Sequence, residues 1–188
     1  MDILLLGPPG AGKGTQGAIL AGRLGLPRFA TGDLLRDAVK RGTPVGLKAR
    51  AVMEAGQLVS DDIIMGVVRE ELARPAAAGG VIFDGVVRTI APAVGVRDLL
   101  VARSRSMDHV LFFEIPDPVI IARLAKRREV EHRADDDPDA VAVRLAAYRE
   151  QTAPVLAWYQ EQGVVRIIDA VGTVDEVAGR VREVVDPA

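Results

Sequence analysis

Five short apolar runs punctuate the chain, at residues 3–6, 28–30, 81–84, 109–115 and 164–169. Each is mostly apolar without a clean polar alternation, the pattern of strands covered on both faces. Between them, helical spacing and propensity cover residues 13–24, 32–40, 44–55, 61–73, 91–103, 118–128, 138–162 and 174–185. Alternating strands and helices predict an α/β fold with a parallel five-stranded sheet, right-handed crossovers and flanking helices. Ligands of such sheets gather at the carboxyl ends of the strands, so the segments that follow each run are where chemistry is expected. No internal repeat, low-complexity tract or linker interrupts the pattern, and 188 residues suit one domain around one core.

Composition narrows the partners. An apolar fraction of 49% and a charged fraction of 27% are those of an ordinary globular protein. The net charge of −2 offers no global basic field, so neither nucleic acid nor a membrane surface is an expected partner. No run approaches the ~20 apolar residues of a membrane span, and the start does not read as a leader. The chain has no cysteine, which removes disulfides and thiolate zinc sites. A cytoplasmic location is the expectation. Twenty of the 24 basic residues are arginine. Base composition is explanation enough for that total, so only particular positions carry function.

Chemistry enters at Gly7 to Thr15, GPPGAGKGT, set between the first strand and the first helix. Glycines let backbone N–H groups point inward, and the new helix turns its positive end to the same spot. Lys13 adds a point charge able to reach the outer phosphates of a nucleoside triphosphate. The generic motif has Ser or Thr directly after the lysine; here Gly14 intervenes and the hydroxyl is that of Thr15. Lys13 is expected in a solvent-facing loop. The run Val81-Ile82-Phe83-Asp84 ends in a carboxylate at the same sheet edge. Asp84 there either holds a nucleotide's magnesium, directly or through water, or caps a turn.

Further segments follow in order: Ala30-Thr31-Gly32-Asp33-Leu34-Leu35-Arg36, Gly56-Gln57-Leu58-Val59-Ser60-Asp61, Phe83-Asp84-Gly85 with Arg88-Thr89, and Arg133-Ala134-Asp135-Asp136 with Arg144. With the glycine-rich loop they resemble adenylate kinases of the nucleoside monophosphate kinase family, over nearly the whole chain. The resemblance implies a P-loop NTPase-type core (residues 1–29, 60–125 and 134–188), a helical acceptor-binding segment at 30–59 and a short lid at 126–133. It implies reversible transfer of the γ-phosphoryl group of MgATP to AMP, giving two ADP. A kinase for another nucleoside monophosphate, or a nucleotide-binding module with impaired transfer, is the alternative. The short lid resembles the family form without a zinc-binding insert, whose members are generally monomers.

Carried over by the resemblance, the donor site comprises Gly10, Ala11, Gly12, Lys13, Gly14, Thr15, Arg123, Arg127 and Gly172. The acceptor site comprises Thr31, Arg36, Met53, Gln57, Leu58, Val59, Gly85, Arg88 and the position of Pro92. Arg133 and Arg144 would reach the phosphates from the lid side, and Asp84 would hold magnesium, through water. Lys13, Arg88, Arg123, Arg133 and Arg144 would be the catalytic cations, since phosphoryl transfer needs positioning and charge neutralisation more than a covalent partner. Two positions depart from the family. Val86-Val87 replaces Phe-Pro, which predicts a trans peptide there and a changed approach of Arg88. Pro92 replaces a glutamine that would hydrogen-bond the AMP base.

Overall fold

In a computed structural model, residues 1–54, 59–131 and 138–186 are described. Five strands, β1 (Asp2–Leu6), β2 (Arg28–Ala30), β3 (Val81–Asp84), β4 (His109–Glu114) and β5 (Val165–Asp169), form one sheet in the order β2-β3-β1-β4-β5. Every pairing is parallel. The predicted strands are therefore all present, and the five-stranded α/β architecture with them.

Strand pleating explains why the runs look continuously apolar. Ile3 and Leu5 face one layer, while Leu4 and Leu6 face the other, and all four are buried. On one side Leu4, Leu6, Phe83 and Val110 pack with Val67 and Val68 of α4 (Asp61–Leu72), Val96 and Leu100 of α5 (Ile90–Val101), and Tyr159 of α8 (Ala153–Gln160). On the other, Ile3, Leu5, Ile82 and Leu111 pack with Leu20 of α1 (Lys13–Leu24), Leu124 of α6 (Asp117–Glu131) and Val181 of α9 (Val174–Val185). Coverage on both faces fails at β5. There Arg166 and Ile167 are exposed and only Ile168 is buried, because β5 is an edge strand with a neighbour on one side.

The remaining described α-helices are α2 (Thr31–Arg41), α3 (Pro44–Glu54) and α7 (Pro138–Gln151). The single helix expected over residues 138–162 is two, α7 and α8, broken at Thr152. Pro154 is the cause, since it has no N–H to give the carbonyl four residues back. The ladder reaches Thr152, whose N–H meets Tyr148 O at 2.9 Å, and resumes when Val155 and Leu156 both donate to Thr152 O. The helix α6 runs to Glu131, so the first residues of the expected lid extend a core helix.

The chain crosses from β1 to the β2 edge, returns through β3 beside β1, and then builds outward on the other side with β4 and β5. The loop after β1 therefore leaves the sheet between β3 and β4, at the point where strand order reverses.

Candidate active site

Loops after β1, β2, β3 and β5 open into one cleft of about 860 Å³ at the carboxyl edge of the sheet. Its lining includes residues 9–16 of the glycine-rich loop and α1, Ala30 to Asp33, Asp84, Gly85, Arg88, and Ala170 with Gly172 to Val174. Helices α6 and α7 bring Arg123, Arg127 and Arg144 to it. Six cationic side chains thus meet two carboxylates, Asp33 and Asp84, in a protein whose net charge is −2. The cleft is a local positive well suited to a polyanion.

The cradle is built by backbone. Gly12 caps α1 with φ 91°, a left-handed conformation that glycine adopts without a Cβ penalty, and no side chain caps the helix. The first-turn N–H groups of α1 are left to an anion, as at other helix N-termini. Lys13 is not held out in solvent as expected. Its Nζ folds back to donate to Gly7 O at 2.6 Å and Pro8 O at 2.8 Å. Burial pushes its pKa down to about 8 against the pull of Asp84, with Arg88, Arg144 and Arg127 lowering it further.

Opposite Lys13, burial pushes the Asp84 carboxyl above its ordinary range, while Lys13 and Arg28 pull it back. Asp84 Oδ2 accepts from Arg28 Nη1 at 3.0 Å. Arg88 lines the cleft although the two residues before it are valines. Val86 and Val87 are buried at 1% and 2% exposure, and no cis peptide occurs among the described residues. Burial and the neighbouring Arg144 lower the Arg88 guanidinium from its ordinary value. Its backbone is fixed from α8's start, where Thr152 Oγ1 donates to Arg88 O at 3.2 Å.

Arg123 reaches across to the loop after β5, donating from Nη2 to Ala170 O at 2.9 Å and Gly172 O at 3.2 Å. Arg180 of α9 takes the alternate carbonyls, Asp169 O at 2.7 Å and Val171 O at 2.6 Å. This loop is thereby held between two helices. Thr31 Oγ1, at the start of α2, is buried without a hydrogen-bond partner among the described residues, close to Gly85.

The cleft brings together Gly10 to Thr15, Thr31, Asp84, Gly85, Arg88, Arg123, Arg127, Arg144 and Gly172. It does not include Val59, which packs against the core, or Pro92, buried in the first turn of α5. Gln57, Leu58 and Arg133 lie outside the described residues, and of Arg36 and Met53 the helical backbone alone is described. Sequence reasoning missed Arg28, Asp33 and Gln16, whose Nε2 donates to Val174 O at 2.9 Å and ties α1 to α9. A charge opening an otherwise apolar strand was the available signal for Arg28.

The adenylate kinase family model matches residues 5–164. The adenylate kinase of Gemmatimonas aurantiaca is 48% identical over an alignment 207 positions long, covering 96% of this chain and 97% of its own. That of Thermus thermophilus is 45% identical over 180, covering 96% and 94%, and that of Beijerinckia indica 43% over 190, covering 98% of both. With its parallel sheet, phosphate cradle and cationic cleft, this chain belongs to the adenylate kinase family of phosphotransferases.

Proposed function

We propose that the protein catalyses reversible phosphoryl transfer from MgATP to AMP, giving two ADP. An AMP phosphate oxygen attacks the γ-phosphorus, the bond from that phosphorus to the β,γ-bridging oxygen breaks, and ADP leaves with the electron pair. The observation that carries this reading is the convergence of Lys13, Arg88, Arg127 and Arg144 on one cleft, with the cradle on one side and Thr31 on the other. The donor side comprises residues 10–15 with Arg123 and Arg127, and Gly172 meets the donor base through its backbone. Arg123 supports that contact by holding the Gly172 carbonyl. The acceptor side comprises Thr31, Gly85 and Arg88 of the cleft, and by the family resemblance Arg36, Met53, Gln57, Leu58, Val59 and the position of Pro92 as well. Thr31's unpartnered hydroxyl is the kind of buried group a ligand satisfies. Arg144, with Arg133, closes over the phosphates.

Lys13 and the arginines neutralise charge on the transferring group, and no general base is required. Asp84 and the Thr15 hydroxyl are hard oxygen donors beside the cradle, a set that fits magnesium. Asp84 would hold it through water. Magnesium supplies charge neutralisation and orientation of the donor phosphates. Residues 30–59 and 126–133 are the moving parts, and the enzyme acts as a cytoplasmic monomer. No helix among the described residues is long and apolar enough to cross a membrane. The relatives favour neither another acceptor nor loss of transfer. A coupled assay with ATP, magnesium and a panel of nucleoside monophosphates should show AMP as the preferred acceptor. Faster transfer to a different monophosphate would contradict the assignment.

A further inference from the structure

Arg28 opens β2 and sends its side chain across the floor of the cleft. Its stem lies so close to α1 that a Cβ at Gly17 would meet Arg28 Cδ at 3.1 Å and Leu5 Cδ1 at 2.8 Å. Glycine at 17 is what admits the stem. The head then reaches three elements at once. Nη1 donates to Gly14 O at 2.8 Å and to Asp84 Oδ2 at 3.0 Å, while Nη2 faces Asp33 Oδ2 at 3.4 Å. One guanidinium thus joins the cradle helix, the end of β3 and the first turn of α2.

The charge balance gives this geometry a consequence. The Asp84 side chain is 12% exposed, and a carboxylate so placed needs a counter-charge. Lys13 and Arg28 both supply it, and Arg28 does so in direct contact, on the oxygen that faces the first turn of α1, since Oδ2 lies 3.8 Å from the Cβ position of Gly14. A divalent cation carried in with nucleotide phosphates draws on that same carboxylate and repels the guanidinium beside it. The side chain has somewhere to go, because Asp33 already accepts its other nitrogen.

We propose that Arg28 is a positioning residue that serves as counter-cation to Asp84 until the cation–nucleotide complex arrives, then shifts its hold to Asp33. Loading of the donor is thereby passed to the first turn of α2, where the acceptor binds. The inference rests on the MgATP–AMP reading of the cleft. Firmer tethering of Asp33 makes acceptor binding tighter once the donor is loaded, a coupling between two sites through one shared cation.

The test is a binding measurement. Manganese is titrated into protein saturated with a non-hydrolysable ATP analogue, and free manganese is read by electron paramagnetic resonance. Arg28→Gln should bind manganese about three- to fivefold more tightly, the worth of losing one partly screened competing charge. Arg28→Lys, which keeps the charge, should stay within about twofold of the parent. Calorimetry of AMP with and without the manganese–analogue complex should show tighter binding to the loaded parent and a ratio near one in Arg28→Gln. Unchanged or weaker manganese binding in Arg28→Gln overturns the proposal, as does an intact AMP ratio. Should Arg28→Gln fail to fold, Asp33→Asn removes the other end of the relay; the AMP ratio should again fall to near one, and its retention overturns the proposal. Phosphorylation of AMP by the parent is measured separately. Its absence would overturn the functional reading while leaving the manganese comparison to decide Arg28.

Discussion

Lys13 holds a positive charge in a partly buried position among arginines, with its ammonium bonded to two loop carbonyls. A phosphate group offers that ammonium a stronger partner than either carbonyl, so donor binding draws it off the loop. Lys13→Ala should leave the melting temperature close to the parent's and lower kcat about a thousandfold or more. Calorimetry and a coupled assay check both halves, and near-parental turnover would contradict the donor-site assignment. The lowered pKa sets a pH dependence. The group is charged below about pH 8 and neutral above it. kcat/KM for MgATP, which reports the free enzyme, should therefore fall as pH rises through that value, while kcat holds to higher pH because bound phosphates restore the proton. A kcat/KM profile flat to pH 10 would contradict this. The cradle was legible because a linear motif announces it, whereas Arg88, Arg123, Arg127 and Arg144 came only with the family resemblance. Arg28, Asp33 and Gln16 were not, since their partners lie on other elements and nothing local in the sequence pairs them.

Strands and helices were legible because burial on two faces leaves a readable apolar run, and the sheet followed from their alternation. The errors fall where a second influence overrides the pattern. At β5 the edge position leaves apolar Ile167 at 60% exposure, which no run of apolar residues reveals. Along residues 138–162 helical propensity persists through the break, and one missing N–H at Pro154 ends the ladder. The break sets Thr152 at 8% exposure with its hydroxyl on the Arg88 carbonyl. Thr152→Val keeps the shape and removes that bond, which should cost about 0.5–1.5 kcal/mol in unfolding free energy. Loss of position at Arg88 should lower kcat more than it raises the KM for AMP. Denaturant titration with steady-state kinetics measures both, and unchanged kcat would show that Arg88 is held by other means. The expected change in Arg88 from the valine pair did not keep it from the cleft; Val86 and Val87 are absorbed into the core beneath it.

At the scale of the fold, a parallel sheet covered on both faces feeds its strand ends into one open cleft, with the first turn of α2 on one side and Arg123 to Arg127 of α6 on the other. An open cleft would let water compete for the phosphoryl group, so closure on substrate binding is the expected outcome. A linked adenosine–adenosine bisubstrate analogue should shorten label-to-label distances from residues 44–54 and from 126–131 to the β5 edge. Unchanged distances at saturation would remove closure from the account. The fold was readable from the alternation of apolar runs and helical stretches, and the family, with AMP as acceptor, from the order of the motifs, although Pro92 and the valine pair depart from the family on the acceptor side. The most direct measurement is phosphorus magnetic resonance of the purified protein with magnesium and ADP as the sole nucleotide. ATP and AMP should appear in equal amounts, with no inorganic phosphate, until equilibrium is reached. ADP left unchanged, or consumed with release of inorganic phosphate, would contradict phosphoryl transfer between two nucleotides in this cleft.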